Sequence, residues 1–462
     1  MTPRQKPALL VIEALATAGE YLLDSARHLG LRVFVATHAD VFAAYPPALR
    51  ERIDGVVFTD FGDPDAAVRE LGEFCRAAGV GAVVACWEFT SPLAAALAAE
   101  LGLPGNDPTR AHGCRNKLRM AELFHRHGVP APRTVPTERD GDPVRTAAAA
   151  GIGYPLVVKP AEEAGSMGVS VVAGPDRLPA AVRLARSWPV EFSHGFPLDD
   201  TALLQEYADG AEFSVETVVW SGRAQHVAIT AKFTTGDGIR AELGHTVPAA
   251  LDPADARLLC SAVDAALEAL GVTDGPAHTE VKLTGDGAAR VIEVAARPPG
   301  GHIVRLVRLA RGVDLTAAQI QVAFGSEPDL EPRADGAAAI RFVTSPHAGV
   351  LTAVHGLPRT GDVVGAARVT DVAMYTEPGA AVTGPRDNLG RLGHVILEAA
   401  SAREADAAAA VAMAGVVVDV DPAGAGDTAE ATARADDAVQ DDHDQDQDHD
   451  CDDGYGVTRC DA

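Results

Sequence analysis

The residues with the clearest capacity for chemistry lie together at positions 278–301. Two runs of alternating apolar residues, HTEVKL and ARVIEVA, flank an Asp-Gly pair at 286–287. An Asp-Gly pair between such runs is a strong signal for a β-hairpin with a two-residue turn. This turn would place Glu280 directly opposite Glu293, with both carboxylates on one face of the hairpin.

Two directly opposed carboxylates repel each other, because their Cβ atoms are only ~5 Å apart. Such a pair is tolerated when a cation lies between its members or when they share a proton. Mg²⁺ typically takes one or two carboxylates and completes its shell with substrate phosphates. Arg297 and the loop Pro-Pro-Gly-Gly follow, and this combination favours phosphoryl transfer. The alternative is that Lys282 neutralises the pair at a solvated surface.

Two lysines occupy positions suited to phosphate. Lys117 lies in a basic amphipathic segment at 115–128, and Lys159 ends the strand-like run YPLVVKP. The residues after Lys159 include Gly165 and Gly168, and glycine-containing loops can present backbone N–H groups to phosphate. Each signal alone is weak, because lysines and glycine turns are common at protein surfaces.

Composition limits the class of protein. The chain has 462 residues, of which 47% are hydrophobic and 23% charged, as expected for about three globular domains. We find no apolar run of the ~20 residues that a membrane span needs and no cysteines at metal-binding spacing. The first residues do not read as a signal peptide, and we therefore expect a cytoplasmic protein. The net charge of −26 argues against nucleic acid and anionic membranes as partners.

Strand-like and helix-like segments alternate through residues 1–112, which predicts a doubly wound parallel sheet. Glu88 follows a strand candidate at its carboxyl end, where ligands bind such sheets, although a surface carboxylate fits equally well there. At the other end of the chain, residues 421–462 include 14 acidic and two basic residues. We expect this tail to be disordered, because it has too little apolar surface to fold.

In their order and spacing, these residues resemble the motifs of the ATP-grasp superfamily across most of 1–418. Within it the chain is most similar to the L-amino-acid ligases, which make dipeptides. Ala295 stands where many ATP-grasp enzymes carry a metal-binding asparagine, and some dipeptide ligases share this alanine. Glu242 and His245 match a substrate-binding pair of those ligases. The stretch from AAIRFVTS to DNLGRLGHVILEA resembles their C-terminal subdomain.

The resemblance implies an architecture of α/β and α+β parts. The N-terminal doubly wound domain (1–112) would precede a two-lobed ATP-grasp domain (113–330). Its small lobe would span about 130–204 and its larger lobe about 205–330. A C-terminal subdomain (331–420) of the L-amino-acid-ligase type would come before the acidic tail.

The resemblance also implies a role for each site residue. ATP would be bound by Lys117, Lys159, Gly165, Ser166, Gly168, Gln205, Glu206, Tyr207 and Glu212, and Mg²⁺ (or Mn²⁺) by Glu280 and Glu293. Arg297 would stabilise the reacting acyl phosphate, Glu242 would bind a substrate ammonium, His245 would orient substrate or transfer a proton, and Glu88, Gly300 and Gly301 would also contact substrate. Gly301 replaces a bulky aromatic residue of some dipeptide ligases, which implies room for a larger substrate side chain.

The implied activity is that of a carboxylate–amine ligase. The substrate carboxylate would attack the γ-phosphate of ATP, and an amine would then displace phosphate from the acyl phosphate. The expected partners are small molecules, and a homodimer is compatible with the sequence. The alternatives are another ATP-grasp ligase or carboxylase, and a degenerate nucleotide-binding regulatory protein. A fused biotin carrier should contain Met-Lys-Met, which does not occur.

Overall fold

A computed structural model of the chain describes residues 6–15, 17–236 and 240–422. The N-terminal region is a parallel sheet between helices. Its elements are β1 (Ala8–Ile12), α1 (Thr17–His28), β2 (Arg32–Thr37), α2 (Ala39–Ala44), α3 (Pro47–Arg50), β3 (Gly55–Phe58), α4 (Pro64–Ala78), β4 (Val80–Ala85) and α5 (Ser91–Leu101). The strands pair in parallel in the order β3-β2-β1-β4. Because helices cover both faces of this sheet, its strands have continuous apolar sequences. The predicted doubly wound sheet is confirmed.

A small antiparallel lobe follows. Its elements are α6 (Lys117–His127), β5 (Thr134–Pro136), α7 (Pro143–Ala149), β6 (Leu156–Pro160), β7 (Ser170–Val172), α8 (Leu178–Ala185) and β8 (Ala202–Glu206). The strand order is β5-β8-β6-β7. Helix α6 begins at Lys117 because the Asn116 side chain accepts hydrogen bonds from the first free N–H groups of the helix. Because the cap fixes the first turn of the helix, it also fixes the position of Lys117.

The remaining described elements form the larger part of the molecule. They are β9 (Ala211–Trp220), β10 (Arg223–Thr234), β11 (Glu242–Val247), α9 (Pro253–Leu270), β12 (Gly275–Leu283), β13 (Ala289–Ala295), α10 (Ile303–Arg311), α11 (Leu315–Ala323), β14 (Ala337–Thr344), β15 (Gly349–His355), β16 (Val363–Val364), β17 (Ala367–Met374), β18 (Ala381–Val382), β19 (Arg391–Ala399), α12 (Ala402–Ala414) and β20 (Val417–Pro422). A nine-stranded sheet runs β13-β12-β9-β10-β11-β14-β19-β17-β16, and a three-stranded sheet runs β18-β15-β20. Because β11 pairs with β14, the C-terminal strands continue the sheet of the larger lobe.

The central hairpin has a longer turn than the sequence predicts. The backbone N–H of Thr284 bonds the carbonyl of Ala288, which leaves three residues, 285–287, in the loop. Gly287 has φ of +75°, and glycine takes this left-handed conformation at little cost. The predicted two-residue turn is therefore wrong.

The longer turn shifts the strand register by one residue, so that Lys282 faces Arg290. A β-bulge at Ile292 then absorbs the extra residue, and beyond it Glu280 faces Glu293. The predicted pairing of the two carboxylates is correct because the two irregularities cancel. Bulges often re-aim side chains next to functional sites. Ile292 in this bulge lines the cavity described below.

Helices α10 and α11 are separated at Gly312, which has φ of +68°. One predicted boundary also differs from the structure. The predicted acidic tail begins inside β20, which continues to Pro422 and pairs with β15. The rest of that tail, 423–462, lies outside the described residues. Among the described helices, none combines the length and the apolar character needed to cross a membrane.

Candidate active site

A cavity of about 310 Å³ lies where the N-terminal domain, the small lobe and the large sheet meet. Sixteen of the seventeen predicted site residues line it: Glu88, Lys117, Lys159, Gly165, Ser166, Gln205, Glu206, Tyr207, Glu212, Glu242, His245, Glu280, Glu293, Arg297, Gly300 and Gly301. Residues from positions 88 to 301 therefore converge on one space.

Gly168 is the exception, since it does not line the cavity. Its φ is +69°, and a Cβ atom there would lie 3.1 Å from the Pro160 side chain and 3.3 Å from the Ala185 Cα. Gly168 therefore shapes the loop by permitting close packing. Ser166, at φ of +66°, does face the cavity, and such strain in a non-glycine residue often accompanies function.

The facing carboxylates on β12 and β13 each lie beside an ammonium group. Lys232 contacts Glu280, and the Lys117 Nζ lies 3.1 Å from Glu293 Oε1. Burial opposes ionisation of Glu280, but the charge of Lys232 and the nearby His278, whose Nε2 lies 3.8 Å from Glu280 Oε1, outweigh burial and lower its pKa. Burial raises the pKa of Glu293 despite Lys117. A second cation beside Glu293 would therefore favour its ionised form.

Lys282, expected to neutralise that pair, does not do so. Its Nζ lies 3.8 Å from Glu212 Oε2, and its side chain is buried rather than solvated. The interpretation of the two carboxylates as a surface pair balanced by Lys282 is therefore wrong. Lys232 and Lys117, which come from other parts of the chain, take that position.

The carboxylates fit a hard divalent cation shared with phosphate. Glu280 and Glu293 present oxygen ligands on one wall of the cavity, and Ala295 nearby offers none. Across the described part of the chain, no group of three or more His, Cys, Asp or Glu side chains converges as a metal site. The protein can thus supply two carboxylate ligands, and Mg²⁺ commonly uses one or two together with phosphate oxygens and water.

Lys232 is a central residue that the sequence reasoning missed. Its buried Nζ contacts Glu280 and lies 2.6 Å from Glu242 Oε1 and 3.6 Å from Glu212 Oε1. Burial disfavours its charge, but the three carboxylates raise its pKa well above the usual value. The available signal was the alternation along β10, which puts Lys232 on the same inward face as the buried residue Thr230.

Glu242 already has partners from the protein. Besides Lys232, its Oε2 atom accepts hydrogen bonds from Arg391 Nη2 at 2.7 Å and Asn388 Nδ2 at 3.0 Å. Burial opposes the charge of Glu242, but Lys232, His245 and Arg391 hold its pKa far below the usual range. Arg391 and Asn388 were not predicted, and they bring the C-terminal part of the chain to the cavity.

His245 is fully buried, and neither ring nitrogen has a hydrogen-bond partner. Burial lowers its pKa to about 3, so the ring is neutral near pH 7. A Cβ atom at Gly301 would lie 2.7 Å from His245 Nε2, and Gly301 has φ of +58°. The open volume expected beside Gly301 is therefore occupied by His245. Open space lies beside Gly300, where a Cβ atom would meet nothing within 4 Å.

Arg297 links the loop after β13 to the N-terminal domain. Its Nη2 lies 2.6 Å from Glu88 Oε2, and its Nη1 donates to the Pro298 carbonyl at 2.9 Å. Burial opposes ionisation of Glu88, but Arg297, Lys117 and Arg115 lower its pKa to about 2. The second oxygen of Glu88 is buried without a partner, so one acceptor remains for a ligand.

Lys159 also lines the cavity, together with Glu212 and the 205–207 segment. Burial lowers the pKa of Lys159 to about 8 although Glu293 opposes this shift. Burial also raises the pKa of Glu212. Tyr207 receives a hydrogen bond from Arg240 at 2.7 Å, so Arg240 is a further cavity residue that was not foreseen.

Three family matches cover successive parts of the chain. Residues 23–105 match the ATP-grasp N-terminal domain, residues 152–305 the ATP-grasp domain, and residues 341–421 the L-amino acid ligase C-terminal domain 2. The chain belongs to the ATP-grasp superfamily. Its predicted similarity to the L-amino-acid ligases is confirmed by the third match.

Relatives of this ATP-grasp chain include amino acid ligases. It is 29% identical to human carnosine synthase 1 over 71% of the chain and 41% of that protein. It is 31% identical to an alanine–anticapsin ligase of Bacillus subtilis over 59% of the chain and 60% of that protein. Identity to the protein y4rH of Sinorhizobium fredii is 28%, over 87% of the chain and 81% of y4rH. The chain thus spans less than two thirds of both ligases.

Solved structures share the ATP-grasp fold of the chain. An L-amino acid ligase from Bacillus licheniformis gives a TM-score of 0.74 at 23% identity, over 91% of this chain and all of that one. Phosphoribosylglycinamide synthetase from Anaerococcus prevotii gives 0.66 at 16% identity, over 90% of this chain and all of that one. The predicted fold is confirmed. The predicted enzyme class, an ATP-grasp ligase that forms C–N bonds, is that of the amino acid ligases among the relatives of the chain.

Proposed function

We propose that this chain joins the carboxylate of an amino acid to an amine, using ATP and an acyl-phosphate intermediate. The observation that carries the proposal is the arrangement of one cavity. Lys117, Lys159, the Glu280–Glu293 pair and the Arg297–Glu88 pair all line it, and the Lys117 charge acts on both Glu293 and Glu88. A phosphate-binding region and a charged carboxylate-binding region thus share one enclosed space.

The chain's own residues would act in a definite order. Lys159 and Lys117 would place positive charge against the phosphates of ATP, with Gln205, Glu206, Tyr207 and Glu212 holding the adenosine end. Mg²⁺ held by Glu280 and Glu293 would supply the charge that stabilises the phosphates during transfer. Arg297, fixed by Glu88, would hold the substrate carboxylate in line with the γ-phosphate and then stabilise the tetrahedral intermediate.

Glu242 and His245 would lie on the substrate side. Glu242 remains an anion at neutral pH, but its protein partners already balance much of its charge. A substrate ammonium would therefore share this carboxylate with Lys232 and Arg391. Neutral His245 would act as a hydrogen-bond donor or acceptor to substrate, because its two free nitrogens are buried.

The two alternatives to the proposed ligase function are a carboxylase or purine-pathway enzyme and a regulatory protein. Carboxylases and purine-pathway enzymes share the fold, but 2-oxoglutarate carboxylase and phosphoribosylglycinamide synthetase superpose less well than the L-amino acid ligase, at TM-scores of 0.64 and 0.66 against 0.74. The C-terminal domain match also favours an amino acid ligase. A regulatory protein without activity has little need for the intact set of Lys159, Glu280, Glu293 and Arg297. A cytoplasmic location and a homodimer stay predictions.

A substrate panel tests the proposal. The enzyme should release ADP and phosphate when given ATP, Mg²⁺ and pairs of amino acids, and mass spectrometry should detect a product one water lighter than the pair. ADP release that requires bicarbonate instead of an amino acid would favour a carboxylase. Release of neither ADP nor product across the full panel would contradict the proposed activity.

Substrate size can be tested at Gly300. The Gly300→Leu variant should place methylene groups in the cavity and disfavour amino acids with large side chains. Each lost methylene contact is worth ~0.8 kcal/mol, and the loss of two such contacts should lower the large-to-small ratio of kcat/KM more than roughly tenfold. The control is Gly301→Ala, which strains the backbone and displaces His245, and should slow large and small substrates alike. An unchanged ratio in Gly300→Leu would show that the side chain binds elsewhere.

A further inference from the structure

One buried carboxylate in the cavity has no role in the proposed mechanism so far. Glu163 follows β6 and lines the cavity, yet the residue is only 3% exposed. Its Oε2 atom accepts the backbone N–H of Ala164 at 3.0 Å, and its Oε1 atom is buried without any partner. A buried oxygen without a partner costs free energy, and a ligand in the cavity is the available source of a donor.

Glu163 lies beside the position proposed for the reacting groups. The Lys117 Nζ donates to the Glu163 backbone carbonyl at 2.5 Å and lies 3.1 Å from Glu293 Oε1. The charges of Lys117 and Arg115 act on both Glu163 and Glu88. Lys117 therefore connects Glu163 to Glu293, and the charges that act on Glu163 also act on Glu88, the partner of Arg297. The proposed mechanism places the acyl carbon beside these same groups.

The proposed reaction needs a base at this place. An amino acid enters as an ammonium ion, and its nitrogen has no free electron pair until a proton leaves. We propose that Glu163 is a catalytic residue that takes this proton from the ammonium group of the amine substrate. This inference rests on the proposed ligase function and adds the base to it.

The proton and bond changes balance. Glu163 accepts one proton from the ammonium, and the freed amine attacks the acyl carbon to form the C–N bond. The C–O bond to phosphate then breaks, and the departing phosphate takes the second proton from nitrogen. Glu163 returns its proton to solvent when the product leaves. The step requires no further reactant.

The charges around Glu163 suit a base that works near neutral pH. Burial raises the pKa of Glu163 to about 7, Glu191 adds to this effect, and the Ala164 N–H, Arg115 and Lys117 oppose it. A general base is most effective when its pKa lies near the working pH. His245, at about 3, is too weak a base to hold a proton there.

The test compares two amines with the Glu163→Gln variant, which retains an oxygen for the Ala164 N–H. With an amino acid as the amine, amide formation at pH 7 should fall roughly 100-fold or more. Hydroxylamine is largely unprotonated at this pH and needs no base, so hydroxamate formation from ATP and the same carboxylate should stay within about threefold. In the parent the amide rate should rise as pH passes about 7, and this limb should be absent from the variant.

The matched control is Glu162→Gln. The Glu162 carboxylate accepts hydrogen bonds from Asn116, His112 and the Asp199 N–H, away from the cavity lining, so both rates should change little. Glu163→Asp, which keeps a carboxylate, should recover part of the amide rate. Equal loss of amide and hydroxamate in Glu163→Gln, or no loss of amide, would overturn the role of Glu163. Absence of both products from the parent enzyme would instead overturn the proposed function.

Discussion

Turnover should be lost when Glu293 is replaced by glutamine, while the fold remains intact. Without this metal-binding carboxylate the transition state should lose several kcal/mol of stabilisation. The value of kcat should therefore fall by at least roughly 1,000-fold. Because burial raises the pKa of Glu293, its ionised form is disfavoured in the free protein. The neutral amide removes this cost but also removes the charge that faces Lys117, so the two effects oppose each other and the melting temperature should change little. Steady-state ADP release and thermal unfolding without metal measure the two effects.

The matched control is Glu398→Gln, since Glu398 is an exposed residue of β19 outside the cavity lining. That variant should keep both the rate and the melting temperature of the parent. Two results for Glu293→Gln would contradict the metal assignment: ADP release near the parent rate, or unchanged dependence on Mg²⁺ concentration.

Arg297→Gln should lower both activity and stability. Removing one member of a buried ion pair leaves the other charge without compensation, which typically costs about 3–5 kcal/mol. Loss of charge stabilisation at the reacting group should lower kcat/KM by roughly 100–1,000-fold. Denaturant unfolding and ADP release measure the two losses.

The double variant Glu88→Gln/Arg297→Gln separates those losses. It leaves no buried charge unpaired, so it should recover most of the stability and little of the activity.

The contribution of the Glu88–Arg297 pair to stability should also depend on pH. The folded pKa of Glu88 is lowered to about 2, so its stabilisation is present above the ordinary carboxyl pKa of ~4.3 and is lost as pH falls towards 2. A single variant as stable as the parent at pH 7 would contradict a strong Glu88–Arg297 interaction.

Much of the fold could be predicted from local sequence. Alternating strands and helices predicted the parallel N-terminal sheet, and apolar alternation predicted the hairpin of β12 and β13. The pairing of Glu280 with Glu293 was also predicted, although its turn was wrong. A bulge at Ile292 compensated for the longer loop, and nothing in the residue types identified that bulge beforehand.

Several cavity residues could not be found in this way, because distant segments bring them together. Lys232 contacts carboxylates on three other strands, and Arg391 reaches Glu242 from a strand almost 150 positions away. Strand alternation could have identified Lys232 as an inward-facing lysine. For Glu163 the sequence shows only an acidic residue in a loop, and its importance follows from burial and an unpaired oxygen.

The central claim, an acyl phosphate formed from the substrate carboxylate, can be tested by one isotope measurement. The amino acid that supplies the carboxylate is labelled with ¹⁸O in both carboxyl oxygens and incubated with enzyme, ATP, Mg²⁺ and the amine. Attack of that carboxylate on the γ-phosphate transfers one oxygen to the phosphate that later leaves. Each phosphate released should therefore carry one ¹⁸O atom, as mass spectrometry would show. Unlabelled phosphate, or release of AMP and pyrophosphate, would contradict the account.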